Sequence, residues 1–285
     1  MTSENRYNLK RTIPETVKRK VRKNSGFGCV LCGAAICDYE HIEPEFKDAQ
    51  SHNPKGITLL CAGCHDKKTR GIYSKEKILD AMKNPKCKEQ GFTFDSLDIG
   101  KKNIAIQFGN CLFIDTLSLI CVDSISLLTL IPPNPELHNE PYKLNAFLTD
   151  NDENGIFGIT NNTWFGNIEN WDIECIGRNI KIRKKLGDIV LHLENIPREK
   201  LIIHRLNMSF KGYQIIGDSN GIKVLTPSNK QILTLTEGAK ITGKVALNIT
   251  NELVLFHKLV FHGGNIDLRN TGTSNCTFVG GSITM

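Results

Sequence analysis

Four cysteines occur in two closely spaced pairs near the start of the chain. Cys29 and Cys32 form one Cys-x-x-Cys pair, Cys61 and Cys64 form a second, and 28 residues (33–60) separate them. Each pair can direct two thiolates at one ion, and two pairs complete a closed tetrahedral Zn²⁺ site. A redox-active Cys-x-x-Cys pair would not need a second copy. The spacing therefore predicts a structural zinc site that performs no chemistry of its own.

Three of the eight histidines lie between or directly beside these cysteine pairs. In chain order they are His41, which follows Glu40, then His52, and then His65 directly after the last cysteine. The unperturbed pKa of an imidazole lies near neutrality, so a histidine here is suited to take a proton from water. The cluster therefore indicates a second site, with metal or acid–base chemistry, beside the zinc.

The ordered set of motifs resembles the HNH endonuclease family, in the variety whose site is framed by zinc knuckles. The matching residues are Glu40-His41, followed by Leu59-Leu60-Cys61-Ala62-Gly63-Cys64-His65-Asp66-Lys67-Lys68-Thr69, and the resemblance covers about residues 20–72. It implies a ββα-metal fold in which Glu40 and His65 bind a divalent cation and His41 is the general base. On an extended strand Glu40 would face away from His41, so the backbone must turn, or a loop must bring both into one site.

The chemistry of the Glu40 and His65 ligand pair does not determine which divalent ion binds. A carboxylate and one imidazole suit Mg²⁺ or Mn²⁺, and they can also accept Zn²⁺ or Ni²⁺. The family pattern also has an asparagine five positions before the third cysteine, where this chain has Gly56. We take Asn53 as the candidate for that role, with His52 as the alternative, although Asn53 also suits a turn before Pro54. The presence of Gly56 in place of the family's asparagine is also consistent with a catalytically inactive relative of the family.

Basic residues flank the two predicted sites. Residues 1–90 carry 18 basic and 11 acidic side chains, a net +7, whereas residues 91–285 carry 18 and 19, a net −1. The excess lies before the first cysteine pair and after His65, which favours contact with phosphates of a nucleic acid, preferentially DNA, with RNA as an alternative. The predicted phosphate contacts are Lys18, Arg19, Arg22, Lys67, Lys68 and Arg70.

Local signals predict the elements that would position these side chains. Thr12-Ile13-Pro14-Glu15 is typical of a helix start and predicts a helix to about Lys23, and Ser74 caps a further helix to about Met82. From Phe92 onward, short Ile/Leu/Val/Phe/Thr runs alternate with Gly, Asn and Asp turns, a pattern that indicates an all-β domain. Within it, residues 261–266 recur as residues 278–283, a spacing of 17 that would suit one rung of a parallel β-helix.

We therefore predict an α+β chain: a small zinc-stabilised ββα-metal domain, then an all-β domain that is either a sandwich or a short β-helix. The boundaries are 1–84 for the nuclease domain, 85–91 for a linker and 92–285 for the β domain. Hydrophobic and charged fractions of 40% and 23% disfavour disorder, collagen and coiled coil. The sequence shows no secretory signal and no transmembrane segment, so we expect a cytoplasmic protein without a membrane partner.

The predicted function is divalent-metal-dependent hydrolysis of DNA by an HNH endonuclease. By analogy with bacterial restriction and antiphage-defence proteins, the β domain would regulate it, by binding a ligand or partner or by homo-oligomerisation. Two alternatives remain at this stage: a nuclease directed at RNA, and a catalytically silent zinc module that binds nucleic acid while the β domain carries the function.

Overall fold

The computed structural model describes residues 4–137, 139–236, 238–257, 259–267, 271–274 and 276–284. The described chain is mostly β-structure, and its helices lie in the N-terminal region. It divides into two compact units. The first comprises Met1–Asp95, Phe165–Ile176 and Arg183–Leu186, and the second comprises Ser96–Trp164, Gly177–Ile182 and Gly187–Met285.

The elements of the N-terminal region come first. The helices are α1 (Glu15–Ser25), α2 (Ala62–Thr69), α3 (Lys75–Lys83) and α4 (Lys86–Gln90), with a 3-10 helix at Phe46–Asp48, and the strands are β1 (Asp38–His41), β2 (Ile57–Leu60) and β3 (Phe92–Ser96). The strands that follow are β4 (Ala105–Phe108), β5 (Cys111–Ile114), β6 (Ser118–Val122), β7 (Ile125–Ile131), β8 (Lys143–Thr149), β9 (Gly155–Thr160), β10 (Thr163–Asn167), β11 (Asp172–Ile176), β12 (Asn179–Lys185), β13 (Asp188–Ile196), β14 (Lys200–Phe210), β15 (Tyr213–Asp218), β16 (Gly221–Leu225), β17 (Gln231–Thr236), β18 (Lys240–Thr242), β19 (Val245–Thr250), β20 (Leu253–His257), β21 (Val260–His262), β22 (Asn265–Asp267), β23 (Thr271–Ser274), β24 (Thr277–Val279) and β25 (Ser282–Thr284).

The first unit is organised around β2. This strand pairs antiparallel with β1, with Tyr39 opposite Leu59, and all four of its side chains are buried. Two small apolar clusters pack against it: one contains Leu59 with Val21 of α1, and the other contains Leu60 with Ile78 of α3. Because α2 begins directly after β2, the end of the central strand and the start of this helix are held together.

The helix boundaries follow the local signals of the sequence. The helix predicted from Thr12 to Lys23 begins at Glu15, and Gly26 ends it in the left-handed conformation, with φ of 71°. The Ser74 hydroxyl accepts a hydrogen bond from the Lys77 N–H at 3.2 Å, which is the predicted cap of α3. Residues 85–91, the predicted linker, contain α4, and the side chain of Cys87 within it is buried.

A buried ion pair joins α1 to β11 within the first unit. The Arg22 Nε and Nη2 atoms donate to the two carboxylate oxygens of Asp172 at 2.9 and 2.8 Å. The two side chains are only 6% and 2% exposed. Arg183 adds a second guanidinium, 3.2 Å from Asp172 Oδ2. Arg22 also donates to the Tyr39 hydroxyl, so its guanidinium makes its contacts inside the unit.

We expect Asp172→Ala to lower the free energy of unfolding by about 3 kcal/mol, because it removes the buried carboxylate that accepts two hydrogen bonds from Arg22. The guanidinium then keeps Glu15, at 2.8 Å, and the more distant Glu174, at 3.8 Å, as counter-charges. Urea denaturation of the first unit, followed by intrinsic fluorescence, measures the change. Asp66→Ala is the matched control, since its pair with Arg70 lies at the surface, with 55% and 69% of the two side chains exposed. The control should change stability by less than about 1 kcal/mol. Equal losses in the two variants would contradict a structural role for the buried pair.

The second unit is built from β-sheets. One sheet contains the consecutive strands β23-β20-β19-β6-β7-β8-β9. A larger one contains β24-β21-β18-β5-β4-β14-β15-β16-β17-β22-β25, with β13 also paired to β14. Alternate side chains are buried along strands such as β15, and the largest fully buried side chains of the unit include Phe108, Phe113, Phe256 and Phe261. No helix in the described part of the chain is long and apolar enough to cross a membrane.

The C-terminal strands form two stacked rungs. β20, β21 and β22 pair in parallel with β23, β24 and β25, and every paired residue lies 17 positions further along the chain, as with Phe261 and Phe278. Both rungs turn at a Gly-Gly pair with positive φ, Gly263-Gly264 (61° and 72°) and Gly280-Gly281 (69° and 80°). The internal repeat of the sequence therefore corresponds to one rung, and we call β23, β24 and β25 the terminal rung.

Candidate functional site

The four predicted zinc cysteines meet in one cluster of the first unit. The sulfur atoms of Cys29, Cys32, Cys61 and Cys64 all lie within 4.8 Å of one another. One pair comes from the turn after α1, where the Gly33 N–H donates to the Cys29 carbonyl at 2.8 Å. The other comes from the junction of β2 and α2, whose first turn contains Cys64. The Val30 N–H donates to Leu59 O at 3.1 Å and so ties the two segments together.

The donor set fits a structural Zn²⁺ ion. Four sulfurs at about 2.3 Å from zinc, at the corners of a tetrahedron, lie about 3.8 Å apart. The Cys32 and Cys61 sulfurs are 3.6 Å apart. Burial, together with the neighbouring sulfurs of Cys29 and Cys61, raises the pKa of the Cys64 thiol to about 12. A divalent cation favours the thiolate, so zinc binding here releases protons.

Glu40 and His65 meet although they are 25 residues apart. Glu40 lies on β1 and His65 on α2, and the Glu40 Oε2 and His65 Nε2 atoms are 3.2 Å apart. The other carboxylate oxygen, Oε1, contacts the Lys68 ammonium one turn further along the same helix. The carboxylate is partly exposed and attracts positive charge. The two residues can therefore offer one oxygen and one nitrogen to a cation.

His41, at the end of β1, is held by a second histidine. The His41 Nε2 and His52 Nδ1 atoms are 3.1 Å apart, and His52 Nε2 lies 2.9 Å from the backbone carbonyl of Lys10. A carbonyl only accepts, so His52 Nε2 carries a hydrogen and, in the neutral ring, His52 Nδ1 accepts. His41 must then donate from Nε2. This chain of hydrogen bonds leaves His41 Nδ1 without a proton and able to accept one.

The surroundings of His41 favour its neutral form. Burial lowers the pKa of His41 from its ordinary value, and the neighbouring His52 lowers it further. The Phe46 ring packs edge-on against the imidazole, with the centroids 5.4 Å apart. At neutral pH His41 therefore keeps a free lone pair on one ring nitrogen.

Glu40, His41 and Lys68 line one cleft of about 320 Å³ within the first unit, and His52 and His65 contact this lining from behind, through His41 and Glu40. Glu40 and His41 both border it, although neighbouring residues of a strand usually face opposite sides. Lys47, Lys68 and Arg11 supply positive charge to its wall, and the Arg11 guanidinium lies over the Phe46 ring, 4.7 Å from the centroid. The cleft thus combines two carboxylates, those of Glu40 and Glu45, with one imidazole and three cations.

Sequence reasoning did not single out Arg11 and Lys47. Neither belongs to a motif: Arg11 precedes α1, and Lys47 lies in the 3-10 helix between β1 and β2. Their only sequence signal is their place in the basic N-terminal third. The fold brings them to the cleft because the segments that carry them pack around β1.

Asn53 has a different environment from that of His52. The Lys55 N–H donates to its side-chain oxygen at 3.0 Å, and the Gly56 N–H donates to its carbonyl at 3.0 Å. Its side chain thus stabilises the turn that precedes β2. The side chain that contacts His41 is that of His52.

The predicted phosphate contacts lie in different environments. Lys68 borders the cleft, whereas the Lys67 ammonium lies over the Tyr73 ring and Arg70 pairs with Asp66 on the exposed face of α2. On α1, Arg19 stacks on Trp171, 3.9 Å from its ring centroid, and Lys18 lies 3.9 Å from Glu15. Arg22 is buried in the ion pair with Asp172.

Within the described residues, the four cysteines are the one group of three or more Cys, His, Asp or Glu side chains gathered closely enough to hold an ion. The fold and the site therefore define a class of protein: a β-rich chain with a four-cysteine, zinc-type site near its N-terminus. No family model, no curated protein and no solved structure matches the chain.

Proposed function

We propose that this chain is a divalent-metal-dependent endonuclease of the HNH type, which hydrolyses phosphodiester bonds of DNA. The observation that carries the proposal is the approach of Glu40 to His65 beside a histidine whose free nitrogen is defined by its hydrogen bonds. The order of an antiparallel strand pair followed by a helix, β1-β2-α2, is consistent with a ββα-metal site. The zinc site would hold the strand pair and helix together without taking part in the reaction.

In this proposal Glu40 and His65 would hold the cation, which these two protein ligands alone would not saturate. The bound cation would neutralise charge on the phosphoryl oxygens and assist the departure of the 3′ oxygen. His41 Nδ1 accepts the proton of the attacking water as the new oxygen–phosphorus bond forms and the bond to the 3′ oxygen breaks. The departing 3′ oxygen takes a proton from solvent water, so the products are a 5′-phosphate and a 3′-hydroxyl. Arg11 and Lys68 contribute positive charge along the phosphate path.

Supercoiled plasmid tests the proposal directly. The full chain is incubated with plasmid DNA and, in separate reactions, Mg²⁺, Mn²⁺, Zn²⁺ or Ni²⁺, and the conversion to nicked and linear forms is measured on gels. At least one ion should support cleavage, and Glu40→Gln should weaken it by raising the concentration of that ion needed for half-maximal rate. Binding without nicking under every ion would reject the nuclease. A single-stranded RNA substrate, run in parallel, tests the RNA alternative.

The second candidate function is a catalytically silent zinc module that binds nucleic acid. Two observations favour it: the pair formed by Glu40 and His65 offers only two protein donors, and Asn53 is engaged in a turn. Gel-shift titration of labelled DNA distinguishes the two candidates when it is combined with the plasmid assay. A silent module would bind DNA with strong salt dependence and leave the plasmid intact.

The role of His52 gives a separate prediction. His52→Ala should lower the rate constant of cleavage by about tenfold to hundredfold, because His41 loses the acceptor that orients its ring. DNA affinity should change little, since His52 contacts another histidine and a backbone carbonyl. The measurement is single-turnover cleavage beside a gel-shift titration.

The conservative variant separates orientation from packing. In His52→Asn the side-chain oxygen can occupy the position of the Nδ1 acceptor, so this variant should recover most of the lost rate. Equal loss in His52→Ala and His52→Asn would argue that the ring of His52 matters for packing and not for the hydrogen bond to His41.

A further inference from the structure

Three free strand edges converge on the terminal rung. β23 is the last strand of one sheet, and β24 and β25 are the two end strands of the other. In the described part of the chain, each of them pairs on one side only, with a strand of the preceding rung. Natural sheets usually protect such edges with charged residues, proline or bulges. Residues 271–284 contain no Lys, Arg, Asp, Glu or Pro.

The backbone groups at these edges point away from the preceding rung at defined residues. The Thr277 N–H donates to Leu259 O at 2.9 Å, and the Ser282 N–H donates to Gly264 O at 3.0 Å. Along a strand, successive residues direct their backbone groups to opposite sides. The N–H and C=O of Phe278 and Ile283 therefore lie on the free edge.

The terminal rung is symmetric about Phe278. Thr273 lies five residues before Phe278, and Ile283 lies five residues after it. Thr273 pairs with Phe256, which places the two side chains in the same row of the stacked rungs, with Phe256 buried and Thr273 exposed at the end of that row. A two-fold axis at Phe278 would place β24 of one copy antiparallel to β24 of a second copy. It would also bring Thr273 of each copy opposite Ile283 of the other. Such an interface uses the same patch twice and closes after two copies.

The chain already contains this kind of rung-to-rung pairing. β17, β18 and β19 pair antiparallel with β22, β21 and β20, so that the first strand meets the third and the middle strands meet each other. A two-fold pairing of terminal rungs would repeat that arrangement. It would also extend an aromatic column, because the Phe278 ring is stacked on Phe261 with centroids 4.8 Å apart.

We infer that two copies of this chain associate edge to edge through their terminal rungs, about a two-fold axis at Phe278. The two Phe278 residues exchange N–H to C=O hydrogen bonds across the axis, and Ile283 of each copy pairs with Thr273 of the other. The edge carries no charge, and Thr273 and Ile283 lie at equal distances along the chain from Phe278. Both features favour a second copy of this chain over a partner of different sequence. This interface is independent of the proposed nuclease activity.

Sedimentation velocity of the full chain across the micromolar range tests the inference. We expect a species of twice the 31.9 kDa chain mass. Ile283→Pro removes an N–H that has no acceptor among the residues that the structure describes, and it should raise the dimer dissociation constant at least about tenfold. Ile283→Ala, the matched control, keeps this N–H and should stay within about threefold of the native chain. A monomer throughout, an open-ended assembly, or a dimer insensitive to Ile283→Pro would overturn the inference.

Hydrogen exchange gives a readout that needs no variant. The amides of Phe278 and Ile283 should exchange slowly at high protein concentration and faster on dilution, because only the second copy supplies their acceptors. The amides of Thr277 and Ser282, bonded within the chain, should change less. Rapid exchange of Phe278 and Ile283 at every concentration would equally overturn the interface, whatever the behaviour of the proline variant.

Discussion

Replacing His41 with alanine is expected to reduce plasmid cleavage by about 10²–10⁴-fold, while the zinc content of the protein stays the same. The reason is the loss of the one lone pair that the histidine chain leaves free, at His41 Nδ1. DNA affinity should be nearly unchanged, because the lowered pKa of His41 leaves it uncharged at neutral pH, and in the proposed function the phosphates would be bound by the cations of the cleft. The measurements are single-turnover cleavage, a gel-shift titration and metal analysis of the purified variant.

His204→Ala is the matched control for His41→Ala. His204 is a partly exposed histidine of the second unit, paired with Glu194 at 2.9 Å, so removing it takes away an imidazole of similar exposure elsewhere in the chain. It should leave cleavage within about twofold of the native rate. Normal cleavage by His41→Ala would show that another group takes the proton, and the assignment of the base would then be wrong.

The second large effect concerns the cysteine cluster. Cys61→Ala should lose the bound zinc and unfold the first unit, because binding of a structural zinc contributes about 10–16 kcal/mol to folding in small domains. The four sulfurs join the turn after α1 to the junction of β2 and α2, so both segments lose their common anchor. Zinc per chain by mass spectrometry, and limited proteolysis of the first unit, measure the outcome.

The control for this variant is another cysteine of the same unit. Cys175 lies on β11, outside the four-cysteine cluster. Cys175→Ala should keep one zinc per chain and resist the protease as the native protein does. A native chelator-treated sample should behave like Cys61→Ala. Full zinc content in Cys61→Ala would mean that the metal is held by a different set of ligands.

The four cysteines of the zinc-type cluster could be identified from the sequence, because the geometry of a Cys-x-x-Cys pair is local. Its two sulfurs converge through one tight turn, and only two such pairs occur in the chain. The starts of two helices were predictable for the same reason: the Ser74 cap and the Pro14-Glu15 start of α1 act within one turn of backbone. The 17-residue repeat was visible as well, since stacked rungs place equivalent residues at a constant separation.

The interaction partners of charged and polar side chains could not be predicted from local sequence patterns. Arg22 belongs to a basic run on α1, and only its ion pair with Asp172, 150 residues away, shows that it is buried. Likewise, nothing local distinguishes His52 from Asn53 as the neighbour of His41. That choice depends on the path of the loop between β1 and β2, which the surrounding contacts determine.

By itself, the sequence determined the zinc-type cluster, the helix caps, the β-rich character of the later chain and the candidate set of Glu40, His41 and His65. These follow from short-range geometry and side-chain chemistry. Only the tertiary structure decided that Glu40 reaches His65, that His52 leaves His41 Nδ1 free, and that three strand edges converge at the terminal rung. Each of these depends on residues far apart in the chain, whose distances are settled when the hydrophobic interior forms.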